Sequence, residues 1–166
     1  MLIRRLTPSD AAAFQALRLF ALRACPTAFS SSYEEECDTA LAVIEAYFAP
    51  ASSRHFFGAF DGAQLVGMIG VGRETMRKVM HKASIRGMYV APGQRGKGAG
   101  RLLLDAALGF VATLDGVRQL HLTVTADNAA ATALYESRGF RVYGCEPAGL
   151  CFDGVDYGNV HMVRVM

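Results

Sequence analysis

Apolar residues recur along this chain with two different periods, which indicates that helices and strands alternate. Residues 2–6 have the composition of a short strand, and Thr7 and Pro8 then provide an N-cap and a first-turn proline. The helix that they predict extends to Pro26, and its apolar face contains Phe14, Leu17, Ala21 and Ala24.

A loop, a second helix and a hairpin are expected next. Residues 29–38 are rich in serine and glutamate and predict a loop. The amphipathic stretch before Pro50 predicts a helix whose apolar face contains Leu41, Ile44 and Phe48. Asp61-Gly62 is a typical hairpin turn, so the apolar segments beside it predict two antiparallel strands, 55–60 and 64–71.

The second half of the chain predicts further alternation. Residues 84–90 predict a strand, and a glycine-rich segment then leads into a helix from about Gly98, with an apolar face of Leu103, Ala107, Phe110 and Leu114. Residues 121–125 predict a strand, and residues 129–137 predict a helix closed by Gly139. Residues 140–143 begin another predicted strand, and residues 155–165 form the last one. No repeat or linker separates these elements, so residues 1–166 are predicted to form one mixed α/β domain.

Composition narrows the classes of partner. Hydrophobic residues make up 52% of the chain and charged residues 19%, which suits a globular domain with a substantial core. The 17 basic and 15 acidic residues give a net charge of +2, so no nucleic-acid partner is expected. No apolar run is long enough for a membrane span. The cysteines fit neither a metal site nor a disulfide framework, which predicts reduced thiols and a cytoplasmic protein: Cys25, Cys37, Cys145 and Cys151.

Residues 95–100, Arg-Gly-Lys-Gly-Ala-Gly, join a predicted strand to the start of a predicted helix. A helix N-terminus presents free N–H groups to an anion, and glycines allow the anion to approach closely. A P-loop would need glycine at position 91 and serine or threonine at 98, where Ala91 and Gly98 stand. A dinucleotide fingerprint would need a third glycine where Arg101 stands. The segment therefore predicts an anion site of another kind.

The spacing of Arg95, Gly98 and Gly100 fits the pattern Arg/Gln-x-x-Gly-x-Gly/Ala, and here the chain resembles the GNAT superfamily of N-acetyltransferases. A second family motif, Asn-x-x-Ala-x-x-Leu-Tyr-Glu-x-x-Gly-Phe, is matched by Asn128, Ala131, Leu134, Tyr135, Glu136, Gly139 and Phe140. The resemblance implies a mostly antiparallel, twisted sheet of six to seven strands flanked by about four helices. It also implies that two parallel strands splay apart to admit the pantetheine arm of coenzyme A (CoA).

The resemblance further implies which residues bind acetyl-CoA, the acyl donor. The strand before the loop would pair with pantetheine, the loop would bind the pyrophosphate, and a β-bulge near Met88 would direct a backbone N–H at the thioester carbonyl. The implied set is Met88, Tyr89, Val90, Arg95, Gly96, Lys97, Gly98, Ala99, Gly100, Arg101 and Asn128. Tyr135 is the implied proton donor to the departing thiolate, and no metal is expected.

The general base and the acceptor are less constrained. Some relatives carry a glutamate five residues before the asparagine, where this chain has Thr123. A water chain or a side chain elsewhere would then act as base, with candidates Glu34, Glu35, Glu36, Glu74 and His81. Phe29, Tyr33 and Glu34 are the expected acceptor contacts, and an acidic rim there would favour a cationic amine.

The sequence therefore predicts an acyl-CoA-dependent N-acetyltransferase that acts on a primary amine by direct attack. A small molecule or amino acid is favoured over a protein amine because of Thr123. The alternatives are a protein or peptide amine acceptor, or a CoA-binding module without turnover. The C-terminal strands leave a homodimer open.

Overall fold

A seven-stranded sheet forms the centre of the fold in the computed structural model, which describes residues 1–50 and 52–166. In chain order the strands are β1 (Leu2–Arg5), β2 (Arg54–Asp61), β3 (Gln64–Arg73), β4 (Lys82–Val90), β5 (Gln119–Thr125), β6 (Arg141–Phe152) and β7 (Val155–Val165). Their order in the sheet is β1-β2-β3-β4-β5-β7-β6, and every neighbouring pair is antiparallel except β4 and β5. The predicted mixed, mostly antiparallel sheet is confirmed.

Five α-helices are present in the described residues: α1 (Ala11–Ala24), α2 (Tyr33–Glu36), α3 (Leu41–Tyr47), α4 (Ala99–Val111) and α5 (Ala129–Glu136). The first helix follows a 3₁₀ turn, Pro8–Asp10, in which the Asp10 carboxylate accepts hydrogen bonds from the Thr7 N–H and from Arg4. The predicted N-terminus of this helix is therefore correct in its chemistry, although the α-helix itself begins three residues after Pro8.

Two apolar layers lie on opposite faces of the sheet. Strand β3 is therefore buried on both of its faces. Helices α1 and α3 pack on one face, where Phe14, Leu17 and Ile44 meet Leu65 and Met68 of β3. Helix α4 packs on the other face, against residues of β3 that include Val66, Ile69 and Val71. Both layers bury large side chains, so each positions its helices firmly against the sheet.

Two local predictions were wrong. Residues 29–38 contain the short helix α2, because Ser32 and Glu35 form a capping box in which each side chain accepts the other's backbone N–H. Helix α4 ends at Val111, so Leu114 lies outside it. The buried face of that helix is completed by other apolar residues of the same stretch: Leu104, Leu108 and Val111.

The parallel pair β4 and β5 opens into a cleft. Their ladder joins residues 82–84 to residues 119–121, and the described residues form no further pairs between these strands. On its other edge β4 carries a bulge, since Tyr89 pairs with Met68 and Arg86 pairs with Gly70, leaving Gly87 and Met88 opposite a single residue. Gly87 has φ = +60°, a conformation that glycine adopts without strain. The splayed pair and the bulge near Met88 were both predicted.

Candidate active site

Two cavities meet in the cleft between β4 and β5. The larger, about 830 Å³, runs past the glycine-rich loop, and we call it the donor groove. The smaller, about 720 Å³, lies under α1 and the segment that contains α2, and we call it the acceptor cavity. Both are lined by the same set of residues where they join: Ala28, Phe29, Ile85, Arg86, Gly87, Leu122 and Thr123. Two molecules bound in the two cavities would therefore meet beside the β4 bulge.

The glycines of the loop adopt conformations that shape the donor groove. Gly96 and Gly98 have φ of +76° and +84°, and Gly98 is the N-cap of α4. A Cβ at Gly100 would lie 3.3 Å from side-chain atoms of both Leu134 and Met88. Backbone conformation thus favours glycine at Gly98, and at Gly100 a Cβ would require small shifts of the Leu134 and Met88 side chains.

The N-terminus of α4 lines the donor groove through Gly98, Ala99, Gly100 and Arg101. The first turn of a helix has N–H groups without intrahelical acceptors and the positive end of the helix dipole. The loop and helix therefore fit the pyrophosphate of CoA. Beside them, the edge of β4 that faces β5 is free of ladder pairs beyond Ser84, which leaves backbone for the pantetheine arm to pair with.

The basic residues of the loop are placed differently from one another. The Arg95 side chain turns back, donating from Nε to the Val90 carbonyl oxygen at 3.0 Å while its guanidinium lies 5.6 Å from the Tyr89 ring centroid. Arg95 and Arg101 line the donor groove, whereas Lys97 is absent from the described lining. Arg95 therefore supports the loop conformation as well as adding positive charge.

Asn128 and Thr125 form the far wall of the groove. The Asn128 side-chain oxygen accepts from the Ala131 N–H at 3.2 Å, which caps α5. This fixes the side chain with its amide nitrogen available to a ligand. The Thr125 hydroxyl donates to the Thr27 carbonyl oxygen at 2.6 Å and so ties the segment after α1 to β5.

Tyr135 of α5 lies in the wall of the groove with 7% of its surface exposed. Its hydroxyl contacts the Met88 sulfur at 3.4 Å, so the phenol is directed at the β4 bulge. Burial raises the pKa of Tyr135 to about 12. The phenol therefore stays protonated through the physiological range and can act there as a donor.

Arg18 of α1 is a charged group in the wall of the acceptor cavity. Its Nε and Nη2 donate to the two carboxylate oxygens of Glu36 at 2.9 and 2.8 Å, and its guanidinium lies 4.6 Å from the Phe29 ring centroid. Its Nη1 is buried without a hydrogen-bond partner among the described residues. That nitrogen lies next to Gly87, since a Cβ built there would be 3.7 Å from it. Such a buried donor needs an acceptor atom.

The predicted acceptor contacts fall in different places. Phe29 lines both cavities, but Tyr33 and Glu34 are missing from the described lining of either. The Tyr33 ring instead packs against Arg23, whose guanidinium lies over the ring at 3.7 Å from its centroid. The predicted acidic rim is absent from the described lining, which carries three arginines, Arg18, Arg54 and Arg86, against Glu35 and Glu36. Glu35 instead caps α2, and Glu36 pairs with Arg18.

Three of the five candidate bases from the sequence, Glu35, Glu36 and Glu74, are engaged in hydrogen bonds or ion pairs. Burial opposes ionisation of Glu36, but hydrogen bonds and charge from Arg18 outweigh it and hold the Glu36 pKa below its ordinary value. Glu35 accepts from the Ser32 N–H, and Glu74 lies 3.8 Å from Arg86. His81 is not among the described residues of either lining.

Sequence reasoning missed a polar chain at the junction of the cavities. The Thr123 hydroxyl lies 3.1 Å from His161 Nδ1, and His161 Nε2 lies 3.1 Å from a carboxylate oxygen of Glu146. His161 stands in register with Thr123 across β5 and β7. No local signal in the sequence marks it, because the contact depends on strand order. Arg18 was missed because it reads as a polar position of an amphipathic helix.

Within residues 1–50 and 52–166, no group of three or more His, Cys, Asp or Glu side chains is placed to hold a metal ion. Among the helices in those residues, none combines the length and apolarity needed to cross a bilayer.

Comparison with known proteins places this geometry in context. The profile of the Acetyltransferase (GNAT) family matches residues 18–140. The N-alpha-acetyltransferase RimI of Mycobacterium tuberculosis is 39% identical over 90 residues, 54% of either chain. A mycothiol acetyltransferase of Geodermatophilus obscurus is 36% identical over 128 residues, which are 72% of this chain and 39% of that one. The chain thus spans about half or less of these curated relatives.

A solved structure extends the likeness to the whole chain. The acetyltransferase of the GNAT family from Streptococcus pneumoniae superposes with a TM-score of 0.87 at 25% identity, covering 99% of both chains. The cleft between β4 and β5 and the glycine-rich loop both lie inside the segment that the family profile matches.

Proposed function

The chain belongs to the acetyltransferase (GNAT) family, and we propose that it transfers the acetyl group of acetyl-CoA to a primary amine by direct attack. The observation that carries this proposal is the junction of the two cavities beside the β4 bulge. A donor in one cavity and an amine in the other would meet there, so no covalent acyl-enzyme is needed.

Acetyl-CoA would lie in the donor groove. Its pyrophosphate would receive N–H groups from residues 96–101, and its pantetheine arm would pair with the backbone of Met88, Tyr89 and Val90. The bulge makes the Met88 N–H the candidate donor to the oxyanion that forms on the thioester carbonyl. Asn128 would contribute its side-chain amide nitrogen.

Tyr135 would assist the departure of the thiolate. With a pKa of about 12 it is a much weaker acid than a thiol, whose ordinary pKa is about 8.5. Complete proton transfer from the phenol is therefore unfavourable. We assign Tyr135 the role of a hydrogen-bond donor to the developing thiolate, and the proton that finally reaches sulfur comes from the acceptor nitrogen.

The acceptor would be a small amine that carries an oxygen-bearing group, with a carboxylate favoured. The support is Arg18, whose buried Nη1 has no hydrogen-bond partner among the described residues and lies 3.7 Å from a Cβ built at Gly87, a residue of the junction. The cavity lining carries three arginines against two glutamates. An amino acid bound by its carboxylate could present its amine at the junction. A peptide amine is the second candidate, because a backbone carbonyl can also accept from Nη1 and one relative acts as an N-alpha-acetyltransferase.

Measurements of thermal stability test whether acetyl-CoA is the acyl donor. A ligand that binds the native state at one hundred times its Kd stabilises by about 2.7 kcal/mol. Acetyl-CoA and CoA should then raise the Tm by about 5 to 10 °C in a protein of this size. ATP and NAD are the controls and should leave the Tm unchanged. Stabilisation by ATP or NAD but not by CoA would contradict the proposed donor.

An acceptor panel tests the role of Arg18. Thiol release from acetyl-CoA is measured with L-amino acids, their carboxamides and short peptides. The double variant Arg18→Met, Glu36→Gln removes the Arg18 guanidinium without leaving an unpaired carboxylate at position 36. Glu36→Gln alone is the matched control. We expect the double variant to raise the KM for amino acids at least tenfold above the control. Equal KM values would refute the acceptor assignment while leaving acetyl transfer intact.

A further inference from the structure

We propose that Thr123, His161 and Glu146 form a proton relay that removes a proton from the acceptor ammonium. This inference rests on the proposed acetyl transfer and names its missing base. It is carried by the position of Thr123, which lines both cavities where they join, and by the two 3.1 Å contacts behind it.

The sheet brings the three residues together. Thr123 of β5 pairs with His161 of β7, and His161 pairs with Gly144 of β6, two residues before Glu146. Residues paired across antiparallel strands point to the same face of the sheet. The chain of contacts therefore runs across three adjacent strands, from the junction of the cavities outward to solvent.

The partners of the imidazole favour one tautomer of the neutral ring. An ionised Glu146 carboxylate can only accept, so the neutral ring would carry its hydrogen on Nε2 and donate it to Glu146. Nδ1 would then have a lone pair that accepts from the Thr123 hydroxyl. This is the orientation of a general base that is held by a carboxylate and connected to the reacting group through a hydroxyl.

The groups around His161 come from the two strands that flank it. Strand β5 contributes the neutral Thr123, and β6 contributes Glu146 and the phenol ring of Tyr143, whose centroid lies 6.1 Å from the imidazole. Among the ion pairs of the described residues, the only one that involves His161 is with Glu146. An imidazolium at this position is thus compensated by one carboxylate.

The proton balance of the reaction can be written through this chain. The acceptor ammonium gives a proton to Thr123 Oγ1 as the Thr123 hydroxyl proton passes to His161 Nδ1. The neutral amine then attacks the thioester, forming a C–N bond, and collapse of the intermediate breaks the C–S bond. The second amine proton neutralises the thiolate, and His161, whose side chain is 29% exposed, returns its proton to solvent.

His121 is the competing base on the same strand. It lines the acceptor cavity, and burial, followed by the charge of Lys82, lowers its pKa. Its Nε2 lies 3.1 Å from the Gln119 side-chain oxygen, and it is not among the described residues of the junction. His121→Asn therefore serves as the matched comparison for His161→Asn.

Kinetics across pH test the relay, with the most active amino acid of the panel as acceptor. General base catalysis contributes on the order of 10²-fold or more to rate. Thr123→Val and His161→Asn should each lower kcat/KM for the amine at neutral pH by about that factor, and the loss should shrink as pH rises and the free amine becomes abundant. Thr123→Ser keeps the hydroxyl and should stay within a few-fold of wild type.

Three comparisons identify the groups. The double variant Thr123→Val, His161→Asn should be no slower than either single variant, because the residues act in series. The KM for acetyl-CoA should not change in His161→Asn, because His161 is not among the described residues of the donor groove. Hydroxylamine, whose nitrogen is unprotonated near neutral pH, should lose little rate in any of these variants. The relay would be overturned if the rate losses of the two single variants were additive in the double variant. It would also be overturned if the acid limb of the pH profile disappeared in His121→Asn but remained in His161→Asn.

A measurement without any acceptor separates the relay from the proposed function. Nitrogen-15 NMR of the imidazoles reports which ring nitrogen of His161 carries the hydrogen. The relay requires the Nε2–H form, and Thr123→Val should move the Nδ1 resonance. Protonated Nδ1 in the neutral ring would refute the relay even if amines are acetylated. The predicted tautomer in a protein that acetylates no amine would instead count against the proposed function.

Discussion

Removal of the Tyr135 hydroxyl separates its role in catalysis from its role in packing. The phenol is buried, and in the free protein its hydroxyl contacts only a thioether sulfur among the described residues, that of Met88. Sulfur is a weak acceptor, so Tyr135→Phe should change the free energy of unfolding by less than about 1 kcal/mol. A shift in Tm of no more than a few degrees should follow.

The effect on turnover should be larger. The difference of about 3.5 between the pKa of this phenol and that of an ordinary thiol corresponds to about 5 kcal/mol against complete proton transfer. What Tyr135 can supply is a hydrogen bond to a charged sulfur, worth about 1.5 to 3 kcal/mol. Tyr135→Phe should therefore lower kcat about 10- to 150-fold.

The assay is thiol release from acetyl-CoA at saturating amine, measured across pH. Because burial raises the Tyr135 pKa to about 12, the neutral phenol is the form present below that pH. Ionisation of Tyr135 should therefore cause no fall in wild-type kcat between pH 8 and about pH 10. In that range the pH profile of Tyr135→Phe should have the same shape as that of the wild type. Full turnover by the variant, or such an alkaline limb in the wild type alone, would refute the assignment.

Two further predictions concern stability and the loop. Hydrogen bonds from Arg4 and Thr7 hold the Asp10 pKa well below its ordinary value, so the ionised carboxylate stabilises the fold above about pH 4, and this contribution is lost as pH falls through the lowered pKa. Asp10→Asn should lower the free energy of unfolding, measured in urea, by about 1 to 3 kcal/mol at neutral pH and by less in acid. An equal loss at neutral and acidic pH would contradict the role of the ionised carboxylate. Gly98→Ala places a Cβ at φ = +84°, which costs about 1 to 2 kcal/mol although, apart from the adjoining backbone, no atom of the described residues lies within 4 Å of that Cβ. The Tm of Gly98→Ala should fall more, and its Kd for acetyl-CoA should rise more, than in Gly98→Asn, because asparagine tolerates a positive φ better than alanine. Identical Tm and Kd values for the two variants would contradict a requirement for positive φ at this position.

Local chemistry made much of the fold and the donor groove predictable. The Asp61-Gly62 turn, the proline after Thr7 and the apolar face of α4 are short-range signals, and each element that they indicate is present. The glycine at position 98 is likewise dictated by backbone conformation. The family resemblance added the splayed strands and the bulge, which no local pattern specifies.

The acceptor side could not be predicted because it depends on contacts between distant elements. Arg18 faces the cavity through an ion pair with Glu36 across two helices. Thr123 meets His161 only because β7 inserts between β5 and β6 in the sheet. The acidic loop suggested a cationic acceptor, but composition could not show that Glu35 is used for a helix cap and Glu36 for an ion pair with Arg18.

Acetyl transfer at the junction of the two cavities is tested most directly by amine-dependent release of CoA thiol, with the product examined by mass spectrometry. We predict saturable thiol release with at least one small carboxylate-bearing amine, one acetyl group on the acceptor nitrogen, and no acetylated enzyme. If acetyl-CoA raises the Tm but no amine in the panel yields thiol above background, the protein binds CoA without turnover, and the proposed activity is contradicted.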